Sequence, residues 1–539
     1  MSSKKKFWLI IIILLAIFLR FFNLNWGEGF YFHPDENNMA RALLYFDNEG
    51  DPQFYAYGQL PLFLAWGGIK FWHLFTNKAI ISFNQAVFSL RFFSAFFSVL
   101  TIPVVYGIVW QLGEKKWAWL AALLTVFTPG LIQSAHFGTT ESLLVFFAVL
   151  ILFLAIRFLK EGKKNILMIG GIIAGLAVGT KISSAVFLLP FLIAILWRWY
   201  QNKTRFVLVC RQGFLLIDLT IIFALIAAPF LILSNQASLN TLKYEISVAQ
   251  GKSAVFYTRQ FLQTKPYWFQ IRKVFPFTLG WPLLIAGILG LGKMIKNIIR
   301  RKSQSDNSLL VFLSLLVVYF LYFGRLFVKW TRFMTPILPL FSIAAIFILK
   351  KLPRKYLRFL LPLLLLPGFL FFIIVYCQSD IRWRASAWFE ENIPENVVIL
   401  SESGNVVNLP LFSTNATGQK IINFDFYHLE NDIEKKNELI HSLAEADYIL
   451  IPSRRIFANF REPTYPWIER YYQKLFNGQL GFEEIKIFRA HIKLPFSNYQ
   501  IFYPDQAAEE TWLVFDHPTI RWYKKTLLLN EEEYRQLLF

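Results

Sequence analysis

The chain has 539 residues, of which 55% are hydrophobic, 18% aromatic and 17% charged, and its formal net charge is +20. So much apolar matter against so few charges excludes an ordinary soluble protein and defines an integral membrane protein. In such a chain the excess of cations speaks of topology rather than of nucleic acid, because where the cations fall matters more than their sum.

Apolar runs near the ~20 residues that cross a bilayer occur at 7–24, 87–111, 117–135, 141–159, 166–181, 183–200, 214–233, 277–292, 308–324, 333–350 and 357–376. They predict about eleven spans. With Lys4-Lys5-Lys6 in the cytoplasm, every second connection is cytoplasmic, and these are the basic ones: Lys115-Lys116, Lys160 to Lys164, Arg198 to Arg211, Lys293 to Lys302 and Lys350 to Arg358. The first run lacks a convincing small-residue cleavage site, so it reads as an uncleaved helix rather than a signal peptide.

Residues 25–80 join the first two runs as an outer loop. Tyr55 to Gly58, Pro61 and the aromatic stretch Phe63 to Phe75 predict amphipathic segments in the interface. The loop opens with His33-Pro34-Asp35-Glu36, and carboxylates at the mouth of an apolar bundle are functional candidates because they are costly in hydrocarbon. Neighbours in a helix diverge, so one acid is read as catalytic and the other as positioning. The plainer alternative is that Asp35 caps an interfacial helix.

Glu141 follows His136-Phe137-Gly138-Thr139-Thr140 at the outer end of the fourth run, on the same face as the tetrad. Alone, it also reads as a helix-start acid, and His136 as a packed histidine. Lys181, Arg325, Lys329 and Arg332 oppose the positive-inside trend, as do Lys243, Lys252, Arg259, Lys265, Arg272 and Lys273 in the outer loop 234–275. An outer anion would explain them; snorkelling or headgroup contact is the competing account. Asp218 reads as snorkelled or paired near the cytoplasmic start of its span.

An odd number of crossings exports residues 377–539, leaving 1–376 as the membrane domain. Val397 to Ser401, Ile421 to Phe426 and Tyr448 to Ile451 predict strands, and Asp432 to Ala446 and Trp467 to Phe476 predict helices, giving a small extracytoplasmic α/β or α+β domain. Asn415-Ala416-Thr417 matches a glycosylation acceptor but carries no weight, since such triplets arise by chance. Cys210 and Cys377 are far apart and predict neither a disulfide framework nor a thiolate cluster. No spacing of His or acids specifies a metal.

Acids to accept a proton, cations to hold a phosphate and an interfacial loop between them fit glycosyl transfer from a polyprenyl-phosphate sugar to an acceptor hydroxyl. A single displacement of this kind inverts the anomeric carbon. The main alternative is a polyprenyl-linked glycan transporter or flippase, whose charges belong near the bilayer midplane on repeated halves. Here the charges map toward one face, and no duplicated half is evident. A binding module on a membrane anchor would not need so many spans.

The chain resembles the polytopic glycosyltransferases of the C-type superfamily, in particular the family 39 or protein-mannosyltransferase-like group related to lipid A aminoarabinose transferases. His33-Pro34-Asp35-Glu36 resembles that group's first-loop acidic motif, Tyr57-Gly58-Gln59-Leu60-Pro61-Leu62 its proline segment, and Gly175-Leu176-Ala177-Val178-Gly179-Thr180-Lys181 a recurrent helix end. Lys329-Trp330-Thr331-Arg332-Phe333, with Pro336 and Pro339, is similar to its tenth-span entry. Ala446-Asp447-Tyr448-Ile449-Leu450, Leu475 to Phe482 and Phe515-Asp516-His517-Pro518 resemble the extracytoplasmic tails of prokaryotic members.

The resemblance implies a C-type glycosyltransferase fold, a cell-membrane (inner-membrane) enzyme with an extracytoplasmic site, and a dolichyl- or undecaprenyl-phosphate monosaccharide donor. It makes Asp35 the candidate base with Glu36 and Glu141 in support; from the residues themselves, Lys181, Lys329 and Arg332 are the candidate donor-phosphate ligands and His33, His136 and Tyr57 further site candidates. Many relatives carry Asp where Glu141 stands. No cofactor or metal is expected to be required. The acceptor, whether glycan, lipid or protein, and the sugar are left open.

Overall fold

A computed structural model describes residues 3–76, 78–203, 205–253, 255–300, 305–403, 420–460, 464–494 and 496–539. The Asn415-Ala416-Thr417 triplet lies outside the described residues. The chain forms two compact units, the first of Met1–Asn25, Asp35–Ala249 and Lys265–Phe372, the second of Trp26–Pro34, Gln250–Thr264 and Ile373–Phe539.

The first unit is a multi-pass helical membrane body. Among the described residues, eight helices are long and apolar enough to cross a bilayer: Phe83–Gln111, Glu141–Glu161, Ile182–Gln201, Phe206–Ala227, Trp281–Arg300, Asn307–Arg325, Thr331–Leu349 and Arg354–Tyr376. The other three apolar runs are also helical but shorter or broken. Two are the apolar helices Phe7–Phe21 and Lys164–Val178, and the third is the pair Ala118–Val126 and Pro129–His136, bent by 55°. Two spans lie elsewhere along the chain than the apolar runs predict. Ala228, just before Pro229, leaves the helical region at φ −143°, so the seventh ends at Ala227 rather than 233, and Gly280 at φ +78° delays the eighth to Trp281.

The bend after Val126 exposes main-chain carbonyls inside an apolar body, where water is absent and each must find a donor. Arg20, on the first helix and fully buried, supplies it. Its Nη1 donates to the Val126 carbonyl at 3.1 Å, its Nη2 to Thr125 at 3.2 Å and its Nε to Ser98 Oγ at 2.9 Å. A cation at the carbonyl end of a helix also complements the helix dipole. Nearby, the helix Phe83–Gln111 begins in a capping box, Ser82 Oγ accepting from Gln85 N at 3.2 Å and Gln85 Oε1 from Ser82 N at 3.0 Å. The connection 25–80 contains two helices, Pro34–Glu49 and Leu60–Thr76, and a later long connection contains Asn235–Gln250.

The second unit takes in Trp26–Pro34 and Gln250–Thr264, segments of two connections that the sequence groups with the membrane domain. Its described strands are β1 (Val398–Glu402), β2 (Lys420–Phe424), β3 (Tyr448–Ile451), β4 (Phe482–Phe488), β5 (His491–Lys493), β6 (Gln500–Phe502) and β7 (Ile520–Lys525). A five-stranded sheet has the order β2-β1-β3-β7-β4, and β5 pairs with β6 separately. β1 runs parallel to β2 and β3, pairing Ile399 with both Ile421 and Tyr448, while β7 runs antiparallel to β3 and β4. The crossover from β2 to β3 carries the helix Ile433–Glu445, capped by Asp432, whose side chain accepts from Glu434 N and Lys435 N.

Below this sheet, Trp522 stacks on Phe389 with ring centroids 5.2 Å apart. A buried polar cluster ties down the chain around residue 380. Arg382 donates to the carbonyls of Val514 at 2.9 Å and Phe515 at 2.7 Å, pairs with Asp380 at 2.9 Å, and lies over the Phe32 ring at 3.9 Å. Next to it, His517 is held between Asp516 Oδ1 at 2.5 Å and Asp505 Oδ2 at 2.7 Å, and the Tyr376 hydroxyl donates to Asp516 at 2.9 Å.

Candidate active site

Asp35 and Glu36 stand in the first turn of Pro34–Glu49, where ~100° of rotation per residue sends them to different neighbours. Glu36 turns inward and is fully buried. Its two oxygens receive Arg91 Nε and Nη2, each at 2.7 Å, and Oε1 also accepts from Gly138 N at 2.7 Å. Arg91 in turn donates to the Leu24 carbonyl at 2.8 Å. This bidentate pair fastens the Asp35 helix to Phe83–Gln111 and to the segment that leads into Glu141. Glu36 therefore sets where Asp35 and Glu141 stand and has its lone pairs occupied.

Asp35 faces the other way. Its Oδ2 accepts from the Tyr57 hydroxyl at 3.2 Å and forms an ion pair with Arg332 Nη1, which also donates to Tyr57 Oη at 3.2 Å. The side chains of Asp35 and Arg332 keep 25% and 28% of their surface exposed, so the pair is open to a ligand. Arg332 lies over the Trp330 ring at 4.5 Å, which holds its plane.

A second pair completes the group. Lys181 Nζ is 4.0 Å from Glu141 Oε1 and sits 4.7 Å from the centroid of Tyr57 and 5.6 Å from that of Phe333. Tyr57 thus links the two pairs. Its position follows from the chain beside it: Gly58 N donates to Thr180 O at 3.0 Å and Leu60 N to Gly179 O at 3.2 Å. A Cβ on Gly58 would come within 2.0 Å of the Gly179 carbonyl, so only glycine allows this approach. The residues that single out Tyr57-Gly58 and Gly179-Thr180-Lys181 in the sequence are those that lock the two segments together.

One acid of the site escapes the sequence reading. Glu245, half-buried on Asn235–Gln250, acts electrostatically on Asp35, Tyr57, Lys181 and Arg332. That helix is anchored at Ala249, whose carbonyl accepts from Val328 N at 3.4 Å. Glu245 lies one turn earlier on the same face. Burial raises its carboxyl above the ordinary range, against the lowering effect of Arg332 and Lys181. Burial likewise raises the Tyr57 phenol, so it is a hydrogen-bond donor at neutral pH. The only sequence signal for Glu245 is a lone acid among the cations of 234–275.

Other candidates are placed differently. Lys329 is buried, its Nζ donates to Phe327 O at 2.7 Å, and burial pushes its ammonium down to about 8. His136 is buried with Nδ1 2.8 Å from Ile132 O and Nε2 3.0 Å from Phe22 O, which makes it a brace between main-chain segments. His33 belongs to the second unit, where its ring packs on Phe515 at 4.3 Å. Among the described residues no group of three or more His, Cys, Asp or Glu is arranged to hold a metal ion.

A polytopic helical body with an acid and cation cluster in its loops and helix starts defines a multi-pass membrane protein. Residues 8–244, which carry every acid of this site except Glu245, match the family described as dolichyl-phosphate-mannose-protein mannosyltransferase. The match spans a little under half of the chain. Among solved structures, it is similar to ArnT from Cupriavidus metallidurans bound to undecaprenyl phosphate, with 11% identity over 97% of this chain and 98% of that one and a TM-score of 0.47. It is similar also to the archaeal oligosaccharyltransferase AglB from Archaeoglobus fulgidus in complex with an inhibitory peptide and a dolichol-phosphate, with 14% identity over 87% of this chain and 73% of that one and a TM-score of 0.49. No curated protein matches the sequence.

Proposed function

We propose that the protein is an inverting glycosyltransferase that moves a sugar from a polyprenyl-phosphate donor to an acceptor hydroxyl on the extracytoplasmic side of the cell membrane. The family match supports the transferase class. The observation that carries the chemistry is the accessible carboxylate of Asp35 beside Arg332, Tyr57 and Lys181. In the reaction the acceptor oxygen bonds to the anomeric carbon while its proton passes to Asp35. The bond from that carbon to the phosphate oxygen breaks, and its electron pair leaves with the lipid phosphate, whose growing charge Arg332 and Lys181 neutralise.

In the resting site Arg332 is committed to Asp35. A donor phosphate competes for the same guanidinium, so binding donor frees lone pairs on Asp35 when an acceptor needs them. Glu141 keeps Lys181 in place, and Glu36 positions the helix. Phosphate is a good leaving group, and the reaction drawn from these side chains calls for no cofactor.

The test is transfer of label from polyprenyl-phosphate sugars by the purified protein. Asp35→Asn is expected to abolish transfer with thermal stability unchanged, and Lys181→Ala or Arg332→Ala to raise the KM for donor. Full turnover by Asp35→Asn removes it as the base. A reporter fused after residue 380 is expected to be active outside the cytoplasm; a cytoplasmic signal reverses the assignment of faces.

A further inference from the structure

At the membrane edge away from Asp35 in the sequence topology, the turn between Phe83–Gln111 and Ala118–Val126 borders a cavity of about 360 Å³ lined by Trp8, Tyr106, Lys115, Lys116 and Trp119. Its size lies within the range of small-ligand sites. Neighbouring charges are committed. Glu114 pairs with Lys350, Glu161 with Arg157 at 2.7 Å and with Lys163 at 2.9 Å, and Lys160 donates to the Gln111 carbonyl. Among the described residues neither Lys115 nor Lys116 has a carboxylate partner; Lys115 Nζ lies only 5.4 Å from the Trp110 ring. Two lysines without a carboxylate partner therefore line the hollow together with three amphipathic rings.

The wall identifies the occupant. Trp8 is 58% exposed and continues into exposed Phe7, Ile10 and Ile11 on the first apolar helix, a surface suited to acyl chains. A small soluble anion would use the lysines and leave this surface bare, whereas a zwitterionic lipid would use the surface and leave the lysines uncompensated. The geometry points to a binding site for one anionic phospholipid, its phosphate between Lys115 and Lys116 and its chains along Trp8, Tyr106 and Trp119. It is separate in sequence and residues from the Asp35 group, and it gives the transferase body a lipid contact that is not its substrate.

Native mass spectrometry of the full chain in detergent, titrated with phosphatidylglycerol, phosphatidylcholine or glycerol 3-phosphate, tests this. One phosphatidylglycerol is expected to stay bound under conditions that strip phosphatidylcholine, and glycerol 3-phosphate is expected not to bind. Lys115→Gln with Lys116→Gln should weaken phosphatidylglycerol about thirtyfold, the factor two cations near a headgroup are worth. Trp8→Ala should weaken it too while leaving the lysines in place. Equal retention of the two lipids, unchanged affinity in the lysine variant, or glycerol 3-phosphate binding as tightly as the lipid would each overturn the proposal, the last in favour of a free-phosphate site. Donor turnover in the lysine variant, assayed in phosphatidylglycerol-free detergent, should match the parent protein.

Discussion

Glu36 and Arg91 meet in a fully buried bidentate pair, with both nitrogen–oxygen contacts at 2.7 Å. The adjacent acid, Asp35, is left to face Tyr57 and Arg332. Breaking a buried pair by removing one partner strands the other charge and costs about 3–5 kcal/mol. Glu36→Ala and Arg91→Ala should each lower the thermal midpoint of the purified protein markedly. The double variant Glu36→Ala/Arg91→Ala should lose less than the two added together, because no charge is stranded. Additive losses would show that the two residues act independently.

Glu245 places negative charge beside the cations that a donor phosphate would need. The Glu245→Gln variant removes it at similar size. Its affinity for undecaprenyl phosphate at neutral pH should rise severalfold. The parent protein should approach the variant as pH falls, since burial raises the Glu245 carboxyl and acid neutralises it early. Weaker binding in the variant would mean that Glu245 helps to hold the ligand.

The first-loop acids, Lys181 and Arg332 stand out in the sequence because charge at a bilayer edge is costly against an apolar background, and the structure brings Asp35 and Arg332 together. The division of labour between Asp35 and Glu36 was only half legible. Helical geometry separates them, but nothing local says that the partner of Glu36 is Arg91, which sits inside an apolar run 55 residues away. Lys329 and His136 each have a main-chain carbonyl as partner, a setting that residue type alone does not announce. In the second unit, the parallel strands β1 and β3 read as apolar runs because both are largely buried. β4 was missed because an exposed stretch, Glu483 to Ile487, separates its buried ends.

Arg20 was unreadable for a related reason, since it sits at the end of an apolar run and resembles a snorkelling cation. Its three bonds serve carbonyls and a hydroxyl within the bundle instead. Arg20→Met keeps the apolar length but leaves the Val126 carbonyl without this donor, at a cost of about 1–3 kcal/mol, while Thr125 O keeps its bond from Thr128 N. The variant should unfold at lower temperature in detergent, and Arg20→Lys, able to satisfy only part of the set, should fall between. Unchanged melting of Arg20→Met would mean that the bend at Pro129 supports itself.

His517 offers a pH signature for the second unit. Burial alone would lower its pKa, but Asp516 and Asp505 on either side outweigh burial and push it from 6.5 up to about 10. A group whose folded value is raised contributes stability in full below its unfolded value, and the contribution declines as pH rises between the two. The stabilisation relative to His517→Asn should therefore be greatest below about pH 6.5 and vanish near 10. Glu510 and Glu402, pushed up by burial to about 7 and about 8, also weaken the fold as pH rises. They do so in both proteins, so the measurement is the difference in melting temperature between parent and variant at each pH. A difference that stays constant from pH 6 to 10 would mean that the imidazole between the two aspartates is neutral throughout.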